Sequence, residues 1–396
     1  MAGGTAAAAG PERFEIAIGQ ADLDDLSERL RRTRWAPDFG NDDWSFGVPG
    51  GYLHELVEHW LSRYDWRAHE AAMNAWEHWR VAVDGVPIHY LRVPGRGPDP
   101  LPLILTHGWP WTFWDYRHLL GPLTDPAAHG GDPADAFELI VPSLPGYTFS
   151  TPMTVSGVSF ARTAELWHRL MRDVLGFERY GAGGGDWGAF VTADLAHTNP
   201  EGLVGAYLTF PALLGADLAG LSPDAYAADE VGWFEQTAAG LAVSGSHMAV
   251  HTADPQTLAY AMADSPVGQA SWMLERRRAW SDCGGDVERR FSKDDLITSF
   301  ALYWLTNSFA SAVRLYAESF RTPWTARHDR TPVLQAPTGI AVYPHEIVLA
   351  PRALAERFAN LVHWTVMPRG GHFAPAEEPE LYVQDVRAFY RPLRAR

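Results

Sequence analysis

The chain has 396 residues, 46% of them apolar and 20% charged, a globular composition that excludes wholesale disorder. Its net charge of −16 excludes a nucleic-acid phosphate backbone as the main partner, and no run of 18 apolar residues is present to span a membrane. A single cysteine, Cys283, permits no intrachain disulfide and points to a cytoplasmic protein; it sits in Ser-Asp-Cys-Gly-Gly, which reads as a turn.

The opening MAGGTAAAAG has neither the basic flank nor the Leu-rich core of a signal peptide and reads as a flexible tail. Residues 13–79 are predicted helical. Leu23, Leu26 and Leu30 share one face, Asp22 or Asp24 is the expected cap, and Tyr52, Leu56 and Trp60 repeat the spacing. Asp84-Gly85 between apolar runs predicts a hairpin over 80–93. Short apolar runs at 101–108, 137–146, 177–186 and 202–211 read as buried parallel strands. Helical patterns separate them: Phe160, Ala164, Trp167, Met171 and Val174 form one stripe, and a second helix covers 187–196. From 212 to 330 the pattern is helical, with runs at 254–264 and 294–319. Strands resume at 337–344 and 361–368, and a helix over 379–391 closes the chain. Strand–helix alternation implies a parallel α/β sheet. The expected units are a helical arm and first hairpin (1–95), a core in two parts (96–211 and 331–396), and a helical insertion between them (212–330).

The sequence Gly184-Gly185-Asp186-Trp187-Gly188 stands at a strand-to-helix junction. Small residues flanking one reactive side chain allow the strained turn of a nucleophile elbow. No G-x-S-x-G occurs, and a carboxylate at the elbow suits attack on an sp³ carbon with formation of an alkyl ester. The competing role for Asp186 is that of a plain helix cap. Gly183, Gly185 and Gly188 also spell G-x-G-x-x-G. Asp186, however, sets a negative charge where a pyrophosphate would approach, and the ribose-binding acid about 20 residues on is missing.

His372, in Arg-Gly-Gly-His-Phe after the last strand, is placed as a general base, and Glu346 in Tyr-Pro-His-Glu can orient it. The order nucleophile, acid, histidine is that of an α/β-hydrolase. The loop His107-Gly108-Trp109-Pro110 follows the first parallel strand. The backbone N–H groups of Trp109 and Trp187 are the expected oxyanion donors, with His107 structural. His54 and His59 are five apart, not the four that sets two metal ligands on one helix face, so neither metal nor cofactor is expected.

These residues resemble the microsomal-type epoxide hydrolase family, in a bacterial form. The resemblance runs from about Phe14 to Leu393. It is carried by FEIAIGQADLDDLSERLRRTRW, HGWP at 107–110, GGDWG at 184–188, DSPVG at 264–268, RRFSKDDLI at 289–297, RLYAE at 314–318 and RGGHFAPAEEPEL at 369–381. It implies an α/β-hydrolase sheet with a helical lid and an N-terminal helical arm, with Asp186 as nucleophile, His372 as base and Glu346 as its acid partner. It also implies two lid tyrosines that bind the epoxide oxygen. Tyr316 matches one. At the other the family's SGYMHIQ is replaced by Ser244-Gly245-Ser246-His247-Met248-Ala249-Val250. Counting back from Pro255 puts His247 there; counting forward from Ser244 puts Ser246 there. Trp111, where the family commonly has Gly, suggests a reshaped pocket rim. No membrane anchor matching that of the animal enzymes is found. Related bacterial enzymes serve detoxification and natural-product assembly, including that of enediynes.

The expected reaction is hydrolysis of an apolar, aryl-bearing epoxide to a vicinal diol through an Asp186 ester. The small-molecule epoxide is the partner, and a homo-oligomer is left open. The rival readings are a haloalkane or haloacid dehalogenase, which shares Asp-Trp-Gly at the elbow, and a non-catalytic binding scaffold.

Overall fold

The computed structural model describes residues 10–394, so nearly all of the expected N-terminal tail lies outside the described residues. The chain begins with β1 (Glu12–Phe14) and three helices, α1 (Gln20–Arg31), α2 (Gly50–Ser62) and α3 (Trp66–Asn74). The helices of the arm were expected; β1 was not, and it pairs antiparallel with β2 (His78–Val83). Leu26 and Leu30 are buried as their spacing predicts. The α1 cap is Gly19, with no side-chain hydrogen bond, so neither Asp22 nor Asp24 caps it. The helix starts one turn earlier than the first acidic residues suggest.

The hairpin β2–β3 (Val86–Val93) turns at Asp84 and Gly85, with φ of 51° and 78°. Two positive φ angles make the turn whose twist matches the strands, and Asp-Gly is suited to it. The core then alternates: β4 (Leu101–Thr106), α4 (Arg117–Thr124), β5 (Phe137–Pro142), α5 (Phe160–Arg169), β6 (Tyr180–Gly184), α6 (Trp187–Thr198) and β7 (Leu203–Leu208).

Five lid helices follow: α7 (Trp233–Ala253), α8 (Pro255–Asp264), α9 (Pro266–Trp280), α10 (Lys293–Leu305) and α11 (Phe309–Phe320). The single run expected over 294–319 is two helices, bent by 85°. Asn307, at φ 47°, supplies the left-handed residue that breaks them. The core resumes with β8 (Leu334–Val342), α12 (Arg352–Phe358), β9 (Ala359–Val366), α13 (Ala374–Glu377) and α14 (Pro379–Tyr390).

The nine strands lie in the order β1-β2-β3-β5-β4-β6-β7-β8-β9. Pairing is antiparallel as far as β3–β5 and parallel beyond. This is the expected α/β-hydrolase sheet. The loops after β4, β6, β8 and β9 leave from its carboxyl edge, where α/β sheets bind ligands. Among the described residues no single helix is long and apolar enough to cross a membrane.

Candidate active site

Asp186 joins β6 to α6 with φ 50° and ψ −127°. A non-glycine residue held there stores about 1–3 kcal/mol of strain. Its side chain makes no capping hydrogen bond to α6, so the cap role is not the one it fills. The glycines that permit the turn have identifiable neighbours. A Cβ on Gly184 would come within 2.6 Å of the Gly188 carbonyl carbon and the Thr106 carbonyl oxygen. A Cβ on Gly188 would overlap Thr106 O, and one on Gly108 would overlap the Asp186 carboxylate. Elbow and oxyanion loop therefore touch backbone to backbone.

The carboxylate of Asp186 is divided between two partners. Oδ1 accepts the Trp109 N–H at 2.8 Å. Oδ2 lies 3.2 Å from His372 Nε2. The other expected donor, Trp187 N–H, belongs to the first residue of α6; no hydrogen bond from it to Asp186 is seen among the described residues. His107 is fully buried and serves the loop, donating through Nδ1 to Gly108 O and accepting Leu144 N–H at Nε2.

His372 arrives on the loop between β9 and α13 and is wholly buried. Its Nδ1 faces Glu346 Oε1 at 2.6 Å, and the same oxygen accepts Ile347 N–H at 2.6 Å. Glu346, beyond β8, is 3% exposed, so it is not a surface acid. Trp111, Trp280 and Phe373 stand edge-on to the imidazole at 5.2–5.5 Å. Trp111 is fully buried beside His372 and does not lie at a pocket rim. Burial works against the imidazolium. The charges and hydrogen bonds of Glu346 and Asp186 outweigh it, and the ring is pushed up to about 10.

Two lid helices lower aromatic rings onto this centre. Tyr316 of α11 lies 4.7 Å from Trp187, and burial keeps its phenol protonated. His247 of α7 is 3% exposed, stacks on Trp109 at 5.4 Å and meets Tyr316 at 5.4 Å. Ser246 is exposed and accepts from Arg276 at 2.9 Å, so of the two positions only His247 enters the site. Burial, followed by the charge of Arg276, lowers His247 to about 3 and leaves it a neutral imidazole.

Sequence reasoning missed His251, one helical turn beyond His247. It is fully buried, 4.9 Å from Tyr316, and accepts Trp272 Nε1–H at 3.0 Å. The i, i+4 spacing of the two histidines was the available signal. It also missed the Arg277–Asp115 pair, buried at 2.7 Å, which ties α9 of the lid to the turn that follows the oxyanion loop. Among the described residues no group of three His, Cys, Asp or Glu side chains is arranged to hold a metal ion.

Family models agree with this layout. Residues 11–116 match the model of the epoxide hydrolase N terminus, and residues 102–379 match the alpha/beta hydrolase fold. A protein of Stigmatella aurantiaca assigned as an epoxide hydrolase is 41% identical over 386 residues, 97% of this chain and 85% of that one. Epoxide hydrolase 1 of Oryctolagus cuniculus is 33% identical over 402 residues, 95% of this chain and 88% of that one. Among solved structures, the Aspergillus niger epoxide hydrolase superposes with TM-score 0.85 at 28% identity, over 98% of this chain and 97% of that one.

Proposed function

The chain belongs to the epoxide hydrolase family of the α/β-hydrolase fold, and from that premise we propose that it opens an aryl-bearing epoxide through a covalent ester on Asp186. The observation that carries this reading is the divided carboxylate. Oδ1, held by Trp109 N–H, is the oxygen that becomes the ester carbonyl; Oδ2, beside His372, is the one that attacks carbon. As the C–O bond of the epoxide breaks, the alkoxide takes a proton from Tyr316, with His247 N–H as the second neutral donor.

Esterification removes the Asp186 charge. One of the two carboxylates that hold His372 protonated is then gone, and the imidazolium releases its proton. That proton balances the one Tyr316 gave up. The neutral ring, still held by Glu346, takes a proton from water as the water oxygen attacks Cγ of the ester. The tetrahedral oxyanion forms on Oδ1, against Trp109 N–H; as it collapses the Cγ–Oδ2 bond breaks, and the departing alkoxide takes the proton of the added hydroxyl, which leaves the diol, the Asp186 carboxylate and a protonated His372 as at the start. Trp109, Trp187, Trp280 and Tyr316 give the site walls suited to an aromatic substituent.

A single turnover of styrene oxide in ¹⁸O water tests the ester. The first diol should be unlabelled and Asp186 should carry the solvent oxygen. Solvent oxygen in the first-turnover diol means direct attack by water and removes the ester from the mechanism.

A further inference from the structure

We propose that Arg276 forms an anion subsite in the lid, and that the epoxide this enzyme is shaped for carries a carboxylate about one aromatic ring away from the oxirane. The proposal rests on Asp186 as the place where the epoxide opens.

Trp272, Arg276 and Trp280 recur every four residues on α9, one stripe on the helix face turned to α7. The two tryptophans meet the site histidines: Trp272 donates to His251 at 3.0 Å, and the Trp280 ring is 4.9 Å from His247. Arg276 lies between them and is 5% exposed. Its guanidinium carbon stands 4.7 Å from the centre of the Trp272 ring, and Nη2 donates to Ser246 Oγ at 2.9 Å. Nε is buried with no acceptor. Nη1 donates to no atom, and no carboxylate lies within 4.0 Å, among the described residues. The neighbouring Glu275 does not answer it, for its own Oε2 is buried without a partner.

The other deeply placed arginines of this region are paired. Arg277 meets Asp115 at 2.7 Å, and Arg290 meets Asp282 and Glu378 at 2.8 and 2.7 Å. The chain has 48 carboxylates for 32 lysines and arginines, so partners are not scarce. An unpaired charge out of water costs several kcal/mol, and a ring face and one hydroxyl repay only part of that. Nη2 carries a second N–H besides the one given to Ser246, and paired with the unanswered N–H of Nε or Nη1 it forms the two parallel donors that a carboxylate accepts.

His247 links the two ends. Its ring stacks on Trp109, whose N–H holds Asp186, and the residue before it, Ser246, binds Arg276. A benzene ring carrying an oxirane and, opposite it, a carboxylate is the simplest molecule that probes that separation.

The test compares 4-carboxystyrene oxide, its primary carboxamide and styrene oxide on the wild-type chain, Arg276→Met and Arg276→Lys. Wild type should favour the acid over the amide by about tenfold or more in kcat/KM, mainly through KM. Arg276→Met should erase that preference and leave the two neutral epoxides within about threefold, while Arg276→Lys keeps part of it. Because the acid-to-amide ratio of wild type is compared with that of each variant, electronic differences between the epoxides cancel. Calorimetry with 4-(1,2-dihydroxyethyl)benzoate and the matching amide reads the subsite without turnover. A wild type that binds and converts amide and acid alike overturns the proposal, as does an Arg276→Met variant that loses both equally. Failure to turn over any of the three epoxides, with the diol acid still bound through Arg276, overturns the Asp186 reading instead.

Discussion

His372 is held between two carboxylates, one of which the proposed reaction converts to a neutral ester. In the resting enzyme Glu346 and Asp186 push the imidazole up to about 10, against the effect of burial. In the ester only Glu346 remains, and burial counts for more. A raised value means that the charged form persists below it, whereas the base needed for hydrolysis is the neutral form, which gains as pH rises. The ester-hydrolysis rate, followed by rapid quench, should therefore rise with pH and level off at a midpoint below the one His372 shows in the free enzyme by NMR. Equal midpoints would show that Asp186 does not control the base. His372→Gln should alkylate yet stall, and intact-mass spectrometry should find the substrate's mass added at Asp186. On the lid, loss of a donor to developing negative charge costs about 2.7–4 kcal/mol, so Tyr316→Phe should slow alkylation by roughly 10²–10³ while hydrolysis of the ester changes less. His247→Phe should slow the same step, and His247→Tyr should hold or raise it. If both His247 variants alkylate at the wild-type rate, Tyr316 is the sole lid donor.

At the scale of elements, the elbow and the lid bolt depend on close approach. An Ala at position 188 would drive its Cβ into the carbonyl of Thr106, on the adjacent strand, and backbone cannot yield as a flexible side chain can. Gly188→Ala should leave little soluble protein, or a folded chain without alkylation. The Arg277–Asp115 pair joins α9 to the segment after the oxyanion loop, and the guanidinium also lies 4.3 Å over the Phe373 ring next to His372. Removing one charge of a buried pair strands the other, at about 3–5 kcal/mol. Asp115→Asn should lose that much in urea unfolding, whereas Asp115→Leu with Arg277→Met should recover most of it. This scale also shows why the sequence was only partly legible. Gly-Gly-Asp-Trp-Gly announces the elbow because its signal is local, and Asp84-Gly85 announces the hairpin for the same reason. β1 is three residues whose partner strand lies 66 positions away, so no periodicity marks it. Arg277 takes its role from contacts across the core–lid boundary and Arg276 from a contact between two lid helices, and nothing in their adjacent sequence distinguishes either from an ordinary helix residue.

Across the whole molecule, the N-terminal arm connects sheet to lid. β1 extends the sheet through β2, while α1 and α2 pack on α9, and α2 also on α10. Polar contacts follow the same path: His59 meets Asp294 at 2.7 Å, Tyr64 meets Thr298 at 3.0 Å, and Glu55 accepts from Lys293 at 2.8 Å. These contacts are partly exposed, and the Glu55–Lys293 ion pair among them contributes little singly. The apolar face of α2, with Leu56, Val57 and Trp60 buried, holds the arm in place. The lid carries Tyr316, His247 and Arg276 on different helices, so their spacing over Asp186 depends on how firmly those helices are pressed together. Leu56 is fully buried, and Leu56→Ala should cost about 2–5 kcal/mol, since the gap left behind collapses only in part. If the arm is a clamp, the loosening falls on the lid before the sheet. Amide exchange should then quicken in α9 and α10 while β4, β6 and β7 keep their protection, and KM should rise more than the ester-hydrolysis rate falls, because the triad stands on the sheet. Exchange that quickens evenly through sheet and lid would show instead that arm, lid and core unfold as one unit and that the arm adds stability without governing the pocket.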